Sequence, residues 1–339
     1  MVKKSMLSFI RDQYTKVPPV VQADLKGKTV IIVGANAGLG FEAAQHFARM
    51  GAGKLILACR SKEKGQAAVE HLKNATGYTQ VELWLVDLVD FATVKAFADR
   101  ALKELERIDI LLLNAGVYAS EYEATEDGWE LSIQVNDLSG SLLAFLLLPR
   151  MQETAKKFNT TPRLVVVASE VHYWTSMEDK VFESPNAFQL IGSQEYSTPK
   201  LMKVRYFDSK LLNIFFTRAF NNHIKSREII INTVNPGFCH SEMRRNIRSL
   251  FVIILEKLLA RSAEEGSRQL VWAAVGVPSK GNEDELRGAY ASLAHVEEPG
   301  DFVLGVEGKK REDKLWADLI ATLEAVDPRV RDIVNQHFT

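Results

Sequence analysis

Short runs of valine, isoleucine and leucine alternate with longer segments of helical periodicity from residue 28 to residue 234. The first run, KTVIIVG, has the β-branched character of a strand buried on both faces, and it ends in glycine. Strands are predicted at 28–34, 55–59, 81–86, 108–113, 163–168 and 228–234, and helices at 41–50, 62–73, 91–105, 127–148 and 206–223. Because such alternation produces right-handed β-α-β crossovers, we predict an α/β fold: a doubly wound parallel sheet between two helical layers (αβα).

The charge balance of the chain excludes several classes of protein. The 339 residues include 42 basic and 43 acidic side chains, a formal net charge of −1. This balance gives no overall attraction for nucleic acid or for an anionic membrane, so no nucleic-acid partner is predicted. The two cysteines, Cys59 and Cys239, are too few for a disulfide framework or a cysteine-rich metal site. We therefore predict a cytoplasmic enzyme with no metal.

Two apolar stretches need an interpretation of their own. Residues 6–14 carry apolar side chains at helical spacing, which predicts a short amphipathic helix within an N-terminal extension, residues 1–26. We expect this helix to pack on the surface of the protein, and contact with a membrane surface is the less favoured alternative. Residues 138–148 form an apolar run that stops at Pro149, well short of the roughly 20 residues of a transmembrane helix.

A glycine-rich loop follows the first predicted strand and opens a helix, with the spacing G-x3-G-x-G. This context is typical of a phosphate-binding loop in a Rossmann-type fold. Gly34 permits the tight turn, Gly38 lets the backbone approach a pyrophosphate, and Gly40 allows close contact between helix and strand. Asn36 and Leu39 complete the predicted cofactor loop. The alternative is a glycine turn that binds no ligand.

The residues after the second and third strands bear on the choice of dinucleotide. A carboxylate after the second strand would bind both ribose hydroxyls of NAD and repel a 2′-phosphate. This chain has Arg60 there, with Lys62 close behind. Because a guanidinium can bind phosphate through two hydrogen bonds, we predict NADP(H) as the cofactor; the alternative is that Arg60 is merely a solvated loop arginine. Asp87 and Leu88 are predicted to contact the adenine.

A tyrosine and a lysine are placed for proton transfer in the predicted helix 206–223. Tyr206 and Lys210 are four residues apart, so the phenol and the ammonium share one helix face. An adjacent cation stabilises the phenolate and lowers the pKa of the tyrosine from about 10 toward neutrality. Ser169 ends the fifth strand, at the edge of the sheet where ligands bind, and could hydrogen-bond a substrate oxygen. Taken singly, each of these residues is unremarkable, and their order after a phosphate loop supports the prediction.

These motifs, in this order, resemble those of the short-chain dehydrogenase/reductase superfamily. The matching residues are Gly34, Gly38, Gly40, Asp87, Leu88, Asn114, Ala115, Gly116, Asn136, Ser169, Tyr206, Lys210, Asn235, Pro236 and Gly237. The resemblance covers about residues 25–277. The sequence Ala-Cys-Arg-Ser at 58–61 is similar to the retinol-dehydrogenase-like branch, and residues 236–242 are similar to fungal members, many of them biosynthetic.

The resemblance implies a role for each motif. Tyr206 would be the general acid or base, and Lys210 would lower its pKa while binding the nicotinamide ribose. Ser169 would polarise the substrate oxygen, and Asn136 would hold a water that relays protons through Lys210. Further cofactor contacts are predicted from Asn114, Ala115, Gly116, Pro236, Gly237 and Ser241. The predicted reaction is reversible hydride transfer between an alcohol and a ketone or aldehyde.

The rest of the chain is predicted to decorate one NADP-binding domain, residues 27–339. The decorations are an enlarged substrate-cap insert at 170–203, a substrate lid at 238–262 and a C-terminal extension at 278–339. The insert carries large side chains that are predicted to wall a pocket for a medium-sized apolar substrate: Tyr173, Trp174, Met177, Phe182, Phe188 and Tyr196. The alternative is a small cluster beneath a surface loop. His172 is predicted to be structural.

Several alternatives stay open at the level of sequence. The lid carries Arg244, Arg245 and Arg248 near apolar residues, so a helix lying on a membrane is its second interpretation. Residues 138–148 resemble the dimer interface of the family and thus suggest a homodimer, although a buried core helix would have the same composition. The chain could also be a non-redox biosynthetic enzyme of this fold, or an NADP(H)-sensing binding protein.

Overall fold

The structure is a computed structural model that describes residues 4–240, 250–278 and 281–339, and only the backbone of residues 250–254. The strands of the described part are β1 (Thr29–Val33), β2 (Lys54–Cys59), β3 (Val81–Leu85), β4 (Ile110–Leu113), β5 (Arg163–Val167), β6 (Ile230–Asn235), β7 (Ala289–Ser292) and β8 (His295–Glu297). They form one sheet in the order β3-β2-β1-β4-β5-β6-β7-β8, in which only β8 is antiparallel to its neighbour. The predicted doubly wound sheet is confirmed.

The register of the central strands brings the predicted site residues to one edge of the sheet. Val33, the last residue of β1, pairs with Ala58 of β2 on one side and with Leu113 of β4 on the other. All five side chains of β1 are buried, as expected for a strand covered on both faces. The strand order reverses between β1 and β4, and ligands of open α/β sheets bind in the crevice at such a reversal.

Helices cover both faces of this sheet, which confirms the three-layer architecture. The helices are α1 (Met6–Tyr14), α2 (Gly38–Arg49), α3 (Lys62–Thr76), α4 (Phe91–Glu104), α5 (Leu131–Ile133), α6 (Ser139–Phe158), α7 (Asp179–Glu183), α8 (Ala187–Ile191), α9 (Pro199–Met202), α10 (Arg205–His223), α11 (Leu250–Leu259), α12 (Ala263–Val275), α13 (Gly305–Val326) and α14 (Arg329–His337). Helices α2, α3 and α12 bury one apolar cluster against the sheet, and α4, α6 and α10 bury a larger one against the other face.

The helical stretch Leu131–Phe158 crosses the second face of the sheet, and it differs from the predicted helix 127–148 at both ends. It starts at Leu131 rather than at residue 127. Glu130 caps this start by accepting hydrogen bonds from the N–H groups of Ser132 and Ile133. It does not stop at Pro149 but continues to the end of α6. Between α5 and α6, residues 134–138 form one π-helical turn, the kind of local irregularity that often accompanies a functional site.

This stretch, Leu131–Phe158, is long and apolar enough to cross a membrane, yet 89% of its most apolar window is buried inside the protein. The Phe145 ring lies 5.5 Å from that of Trp316 and 5.4 Å from that of Phe338, both from the C-terminal extension. It is therefore a core helix, and the core interpretation of residues 138–148 is confirmed. A homodimer stays a prediction, without support from these buried side chains.

The C-terminal extension is part of the sheet and of the core. Strand β7 continues the parallel sheet beside β6, with Tyr290 opposite Thr233, and β8 closes this edge. No strand was predicted after residue 234, so β7 and β8 were missed. The run Ala-Tyr-Ala-Ser has no β-branched residue, so it gives no strand signal of its own and pairs because β6 offers a free edge.

The aromatic residues of the insert divide between two environments. Met177, Phe188 and Tyr196 are buried in the large apolar core together with α10 and α13, which is the cluster interpretation rather than the predicted pocket wall. Trp174 lies at the surface end of the insert and is half-buried against Phe9 of α1, with ring centroids 5.5 Å apart. The insert thus mainly thickens the core, and its opening turn contacts the N-terminal helix.

Candidate active site

Two positions of the glycine loop, Gly34 and Gly40, have contacts that leave no room for a side chain. Gly34 has φ +83°, and a Cβ there would lie 2.8 Å from the Cα of Ala115. The Asn114 side chain donates a hydrogen bond of 2.7 Å from Nδ2 to the Gly34 carbonyl. A Cβ on Gly40 would overlap with that carbonyl and with the Asn114 amide. The loop therefore holds β1, β4 and α2 together at the reversal of the strand order.

A cleft of about 1080 Å³ opens along this edge of the sheet. Its lining includes the predicted cofactor residues Gly34, Asn36, Gly38, Leu39, Arg60, Asp87, Leu88, Asn114, Ala115 and Gly116, and also Ser61, Lys64, Val117, Tyr118 and Tyr122. Helix α2 begins at Gly38 without a side-chain cap, so the N–H groups of its first turn are available to an anion in the cleft.

The basic residues at the far end of the cleft differ in part from the prediction. Arg60 lines the cleft, whereas Lys62, at the start of α3, is not among the lining residues. Ser61 caps α3 by accepting a hydrogen bond of 3.3 Å from the N–H of Lys64, and both of these residues line the cleft. The structure therefore pairs Arg60 with Lys64, where the sequence suggested Lys62.

Lys210 lies beneath Tyr206 beside the Gly116 end of the cleft, although neither Lys210 nor Tyr206 is among the residues that line it. Its Nζ is 5.6 Å from the centroid of the Tyr206 ring and donates a hydrogen bond of 2.9 Å to the carbonyl of Val167, at the end of β5. A Cβ on Gly116 would lie 3.6 Å from the same Nζ, which connects the lysine with the cleft. Burial lowers the pKa of Lys210 to about 8, although the Asp137 carboxyl opposes this shift.

Asn136 holds the loop after β4 in place beside these residues. Its Oδ1 accepts a hydrogen bond of 2.8 Å from the N–H of Val117, and its Nδ2 donates to the Val117 carbonyl at 3.0 Å and to Ser209 Oγ at 2.9 Å. The backbone carbonyl of Asn136 accepts a bond of 2.9 Å from the side chain of Asn213. Sequence reasoning missed Asn213, although it lies one helical turn after Lys210.

The turn after β5 and the loop after β6 meet at the carboxyl edge of the sheet. Ser169 is half-buried, and its Oγ accepts a hydrogen bond of 3.4 Å from the N–H of Val171. Asn235 Oδ1 accepts from the N–H of Glu170 at 3.3 Å and from that of Gly237 at 3.0 Å. Pro236 lies between Asn235 and Gly237 in this loop. The predicted cofactor residue Ser241 and the arginines of the predicted lid lie outside the described residues.

His172 follows in the same turn, and the structure gives it the structural role predicted from sequence. Its Nδ1 lies 2.7 Å from the Ser169 carbonyl, and its Nε2 accepts a hydrogen bond of 3.1 Å from the N–H of Gly300. These partners require the neutral ring with its proton on Nδ1. Burial lowers the pKa of His172 to about 4, in agreement with that form.

Helix α1 packs over this meeting point, so the predicted N-terminal helix contacts the active site. Gln13 Nε2 donates a hydrogen bond of 3.1 Å to Glu170 Oε1, and both side chains are buried. The Lys4 ammonium lies 3.0 Å from Asp12 and 2.9 Å from Glu297 of β8. Arg261, which follows α11, donates to the carbonyl of Asp12. Residue 170, next to the predicted catalytic serine, is thereby covered by residues from three parts of the chain.

Glu170 gives this region a pH-dependent stability. Burial raises its pKa to about 7, although Lys4 and Arg261 act in the opposite direction. Because the folded pKa exceeds the ordinary value, its stabilising contribution is present at acidic pH and is lost as the pH rises through 7. We expect Glu170→Gln, which has no charge to bury, to gain about 2 kcal/mol in unfolding free energy over the wild type between pH 5.5 and pH 8.5.

Urea unfolding of both proteins at the two pH values measures this gain. Glu126→Gln is the matched control, because Glu126 is exposed and should show no such difference. A Glu170→Gln protein whose stability changes with pH in parallel with the wild type would show that residue 170 is not the group concerned.

Comparison with known proteins agrees with the geometry. The sequence profile of the short chain dehydrogenase family matches residues 28–172. The short chain dehydrogenase/reductase dmxR8 of Cryptosporiopsis sp. is 37% identical over 330 residues, which cover 96% of this chain and 99% of that protein. The short-chain dehydrogenase anuD of Penicillium roqueforti is 36% identical over 338 residues, covering 96% of this chain and 85% of the relative.

Solved structures share the fold. An uncharacterized protein from Mycobacterium paratuberculosis has a TM-score of 0.62 at 27% identity, over 91% of this chain and 97% of that one. A short-chain dehydrogenase from Sphingobium yanoikuyae in complex with NADPH has a TM-score of 0.53 at 24% identity, over 71% and 81% of the two chains. With fungal relatives aligned over nearly its whole length, this chain belongs to the short-chain dehydrogenase/reductase family.

Proposed function

We propose that this oxidoreductase uses NADP(H) to interconvert a ketone or aldehyde with an alcohol on a medium-sized apolar substrate of secondary metabolism, and that it works in the cytoplasm. The observation that carries the proposal is the position of Lys210 beneath the Tyr206 ring and next to Gly116, which lines the same cleft as the glycine loop. A phenol, a buried ammonium and a nucleotide-sized cleft together support proton transfer coupled to hydride transfer.

The residues of the cleft fit a dinucleotide. The uncapped first turn of α2 presents N–H groups that can hold the pyrophosphate, and the absence of a side chain at Gly38 lets the backbone come close to it. At the ribose end, Arg60 and Lys64 offer positive charge to a 2′-phosphate. This charge pair supports NADP(H) over NAD(H).

The side chains would divide the chemistry among them. NADP(H), when bound, supplies or accepts the hydride. In the reductive direction the Tyr206 hydroxyl gives its proton to the substrate oxygen, and in the oxidative direction it takes that proton back. The Lys210 ammonium stabilises the phenolate between these steps. The Ser169 hydroxyl donates a hydrogen bond to the same substrate oxygen and orients it.

Aromatic residues near the proposed proton donor support an apolar substrate. The Tyr118 ring lies 5.9 Å from the Tyr206 ring, and Tyr122 and Leu131 line the same part of the cleft. These residues come from the loop after β4 and from α5, and not from the insert where a pocket wall was predicted. Flat apolar surfaces of this kind favour ring-containing or extended hydrocarbon substrates.

The proposed function is tested by following NADPH oxidation and NADP⁺ reduction with panels of aromatic, polyketide, terpenoid and retinoid ketones and alcohols. We expect turnover with members of at least one panel, and a higher kcat/KM with NADPH than with NADH. Binding of NADPH without any change in nicotinamide absorbance, together with chemical conversion of a substrate, would instead indicate a non-redox enzyme of this fold.

A further inference from the structure

Asn213 connects the proposed proton-transfer lysine to a buried carboxyl group. Lys210 Nζ donates a hydrogen bond of 3.3 Å to Asn213 Oδ1. Asn213 Nδ2 donates to Asp137 Oδ1 at 2.8 Å and to the Asn136 carbonyl at 2.9 Å. Because that carbonyl can only accept, the amide nitrogen must face it, and this determines the orientation of the amide. The amide therefore presents its oxygen to the ammonium and its N–H groups to the carboxyl.

The π-helical turn between α5 and α6 explains how two neighbouring residues reach α10 together. Asn136 contacts Ser209 through its side chain, and Asp137 contacts Asn213 through its own. All four side chains are buried. A regular α-helix separates successive side chains by about 100°, so the wider π turn helps both residues to face the same helix.

Asp137 is buried with only part of its hydrogen-bonding capacity used. Its Oδ2 has no hydrogen-bond partner among the described residues. A cavity of about 20 Å³ is lined by Asp137, Asn136, Asn213 and Ser141 together with apolar side chains, and this volume is enough for one water molecule. A buried carboxyl at such a place is costly unless a positive charge lies nearby.

The charges that face Asp137 come from two elements. Lys210 and Arg205 of α10 lower its pKa, whereas burial and Glu130 raise it, and burial dominates. Arg205 and Glu130 are themselves a buried ion pair at 3.6 Å. With Glu130 paired to Arg205, Lys210 is the cation left for Asp137, and the Asp137 carboxyl acts as a counter-charge only while the Lys210 ammonium keeps it ionised against the effect of burial.

We propose that Asp137, acting through Asn213, is a positioning residue: it is the buried counter-charge that holds Lys210 beneath Tyr206 and keeps it protonated during catalysis. The inference rests on the proposed function, in which the Lys210 ammonium assists Tyr206. Asn213 also donates to the carbonyl of Asn136, the residue to which the family resemblance assigns a relay water. In this chain the side-chain amide of Asn213 thus connects Lys210 with the carboxyl group of Asp137.

Titration of the lysine in the cofactor-free protein tests the counter-charge directly. In protein labelled with ¹³C at lysine Cε, the Lys210 signal is assigned by its loss in Lys210→Met. We expect its midpoint near pH 8 in the wild type and about one pH unit or more lower in Asp137→Asn. Ser141→Ala is the matched control, since it alters the same cavity without altering charge and should keep the wild-type midpoint.

The pH profile of kcat tests the catalytic consequence. The alkaline limb, where Lys210 loses its proton, should move to lower pH in Asp137→Asn by the same amount as the titration midpoint. An unchanged midpoint would overturn the counter-charge, and a shifted midpoint with a superimposable kcat profile would overturn its role in catalysis. Should Asp137→Asn fail to fold, Asp137→Ser removes the same charge and gives the same two readouts.

These outcomes separate the inference from the proposed function. The lysine titration needs neither cofactor nor substrate, so a shifted midpoint supports the counter-charge even in a protein that turns over no alcohol or ketone. Absence of turnover by the wild type across all substrate panels would count against the proposed function, and therefore against the catalytic part of the inference.

Discussion

Replacing Tyr206 with phenylalanine is expected to lower kcat by about 100- to 10,000-fold, the usual range for loss of a general acid or base. The phenyl ring keeps the packing against Tyr118 and the position over Lys210, so only the exchangeable proton is removed. The dissociation constant of NADPH should stay within about threefold, because Lys210 and the glycine loop are unchanged. Steady-state kinetics and a fluorescence titration with NADPH measure the two quantities separately.

A tyrosine outside the cleft provides the control for this substitution. The Tyr78 hydroxyl shares its proton between the carbonyls of Ala52 and Gln80, which precede β2 and β3 at the amino edge of the sheet, opposite the edge that carries the glycine loop. Tyr78→Phe should keep wild-type kcat even where it lowers the melting temperature. A Tyr206→Phe enzyme with wild-type kcat would refute the proton-transfer role, and a large loss of NADPH affinity would mean that the variant reports on binding instead.

The fold could be predicted from sequence because its central strands have a clear apolar pattern. Strands β1, β2, β4 and β5 are buried on both faces almost throughout and are therefore nearly continuous apolar runs, and helices with a clear period lie between the strands. Strand β7 could not be predicted, because its pairing depends on the free edge of β6 and not on its own composition. The predicted helix end before Pro149 was wrong for a related reason. Surrounding apolar contacts maintain α6 through Pro149, whereas a proline ends most exposed helices.

The candidate site was predictable where a backbone constraint or a chemical role dictates the residue type. Gly34, Tyr206 and Lys210 are of this kind. Asp137 and Asn213 were missed because their contact depends on how two helices are rotated about their axes, and a π turn changes that rotation for Asp137. Lys62 and Lys64 differ by two residues on the first turn of α3, so the direction of each side chain depends on where the helix starts and how it is rotated.

The surroundings of the large apolar residues in the insert could not be predicted from sequence either. A large apolar residue between two catalytic motifs can wall a pocket or complete the core, and composition is identical in both cases. Phe182 lies with its ring centroid 6.0 Å from that of Phe302, in the C-terminal extension. The extension therefore supplies the partner that turns these residues inward, and that partner is more than a hundred positions away in sequence.

Exchange of Arg60 for aspartate is expected to reverse the preference between the two nicotinamide cofactors. A charge-assisted contact between guanidinium and phosphate contributes about 1.5–3 kcal/mol, or roughly 10- to 100-fold in kcat/KM for NADPH. A carboxylate at the same place would also repel the 2′-phosphate and accept hydrogen bonds from the ribose hydroxyls of NADH. Together these effects should change the ratio of kcat/KM for NADPH over NADH by about 100-fold or more.

Two further charge reversals show which basic side chain recognises the phosphate. Lys64→Asp should change the cofactor ratio in the same direction but less, because a lysine contributes a single point charge. Lys62→Asp should change it least, because Lys62 is outside the lining of the cleft. The ratio, measured for the three variants at one ionic strength, should thus fall furthest for Arg60, then for Lys64, then for Lys62. An unchanged ratio in Arg60→Asp, or a larger effect at Lys62, would contradict the proposed position of the 2′-phosphate site.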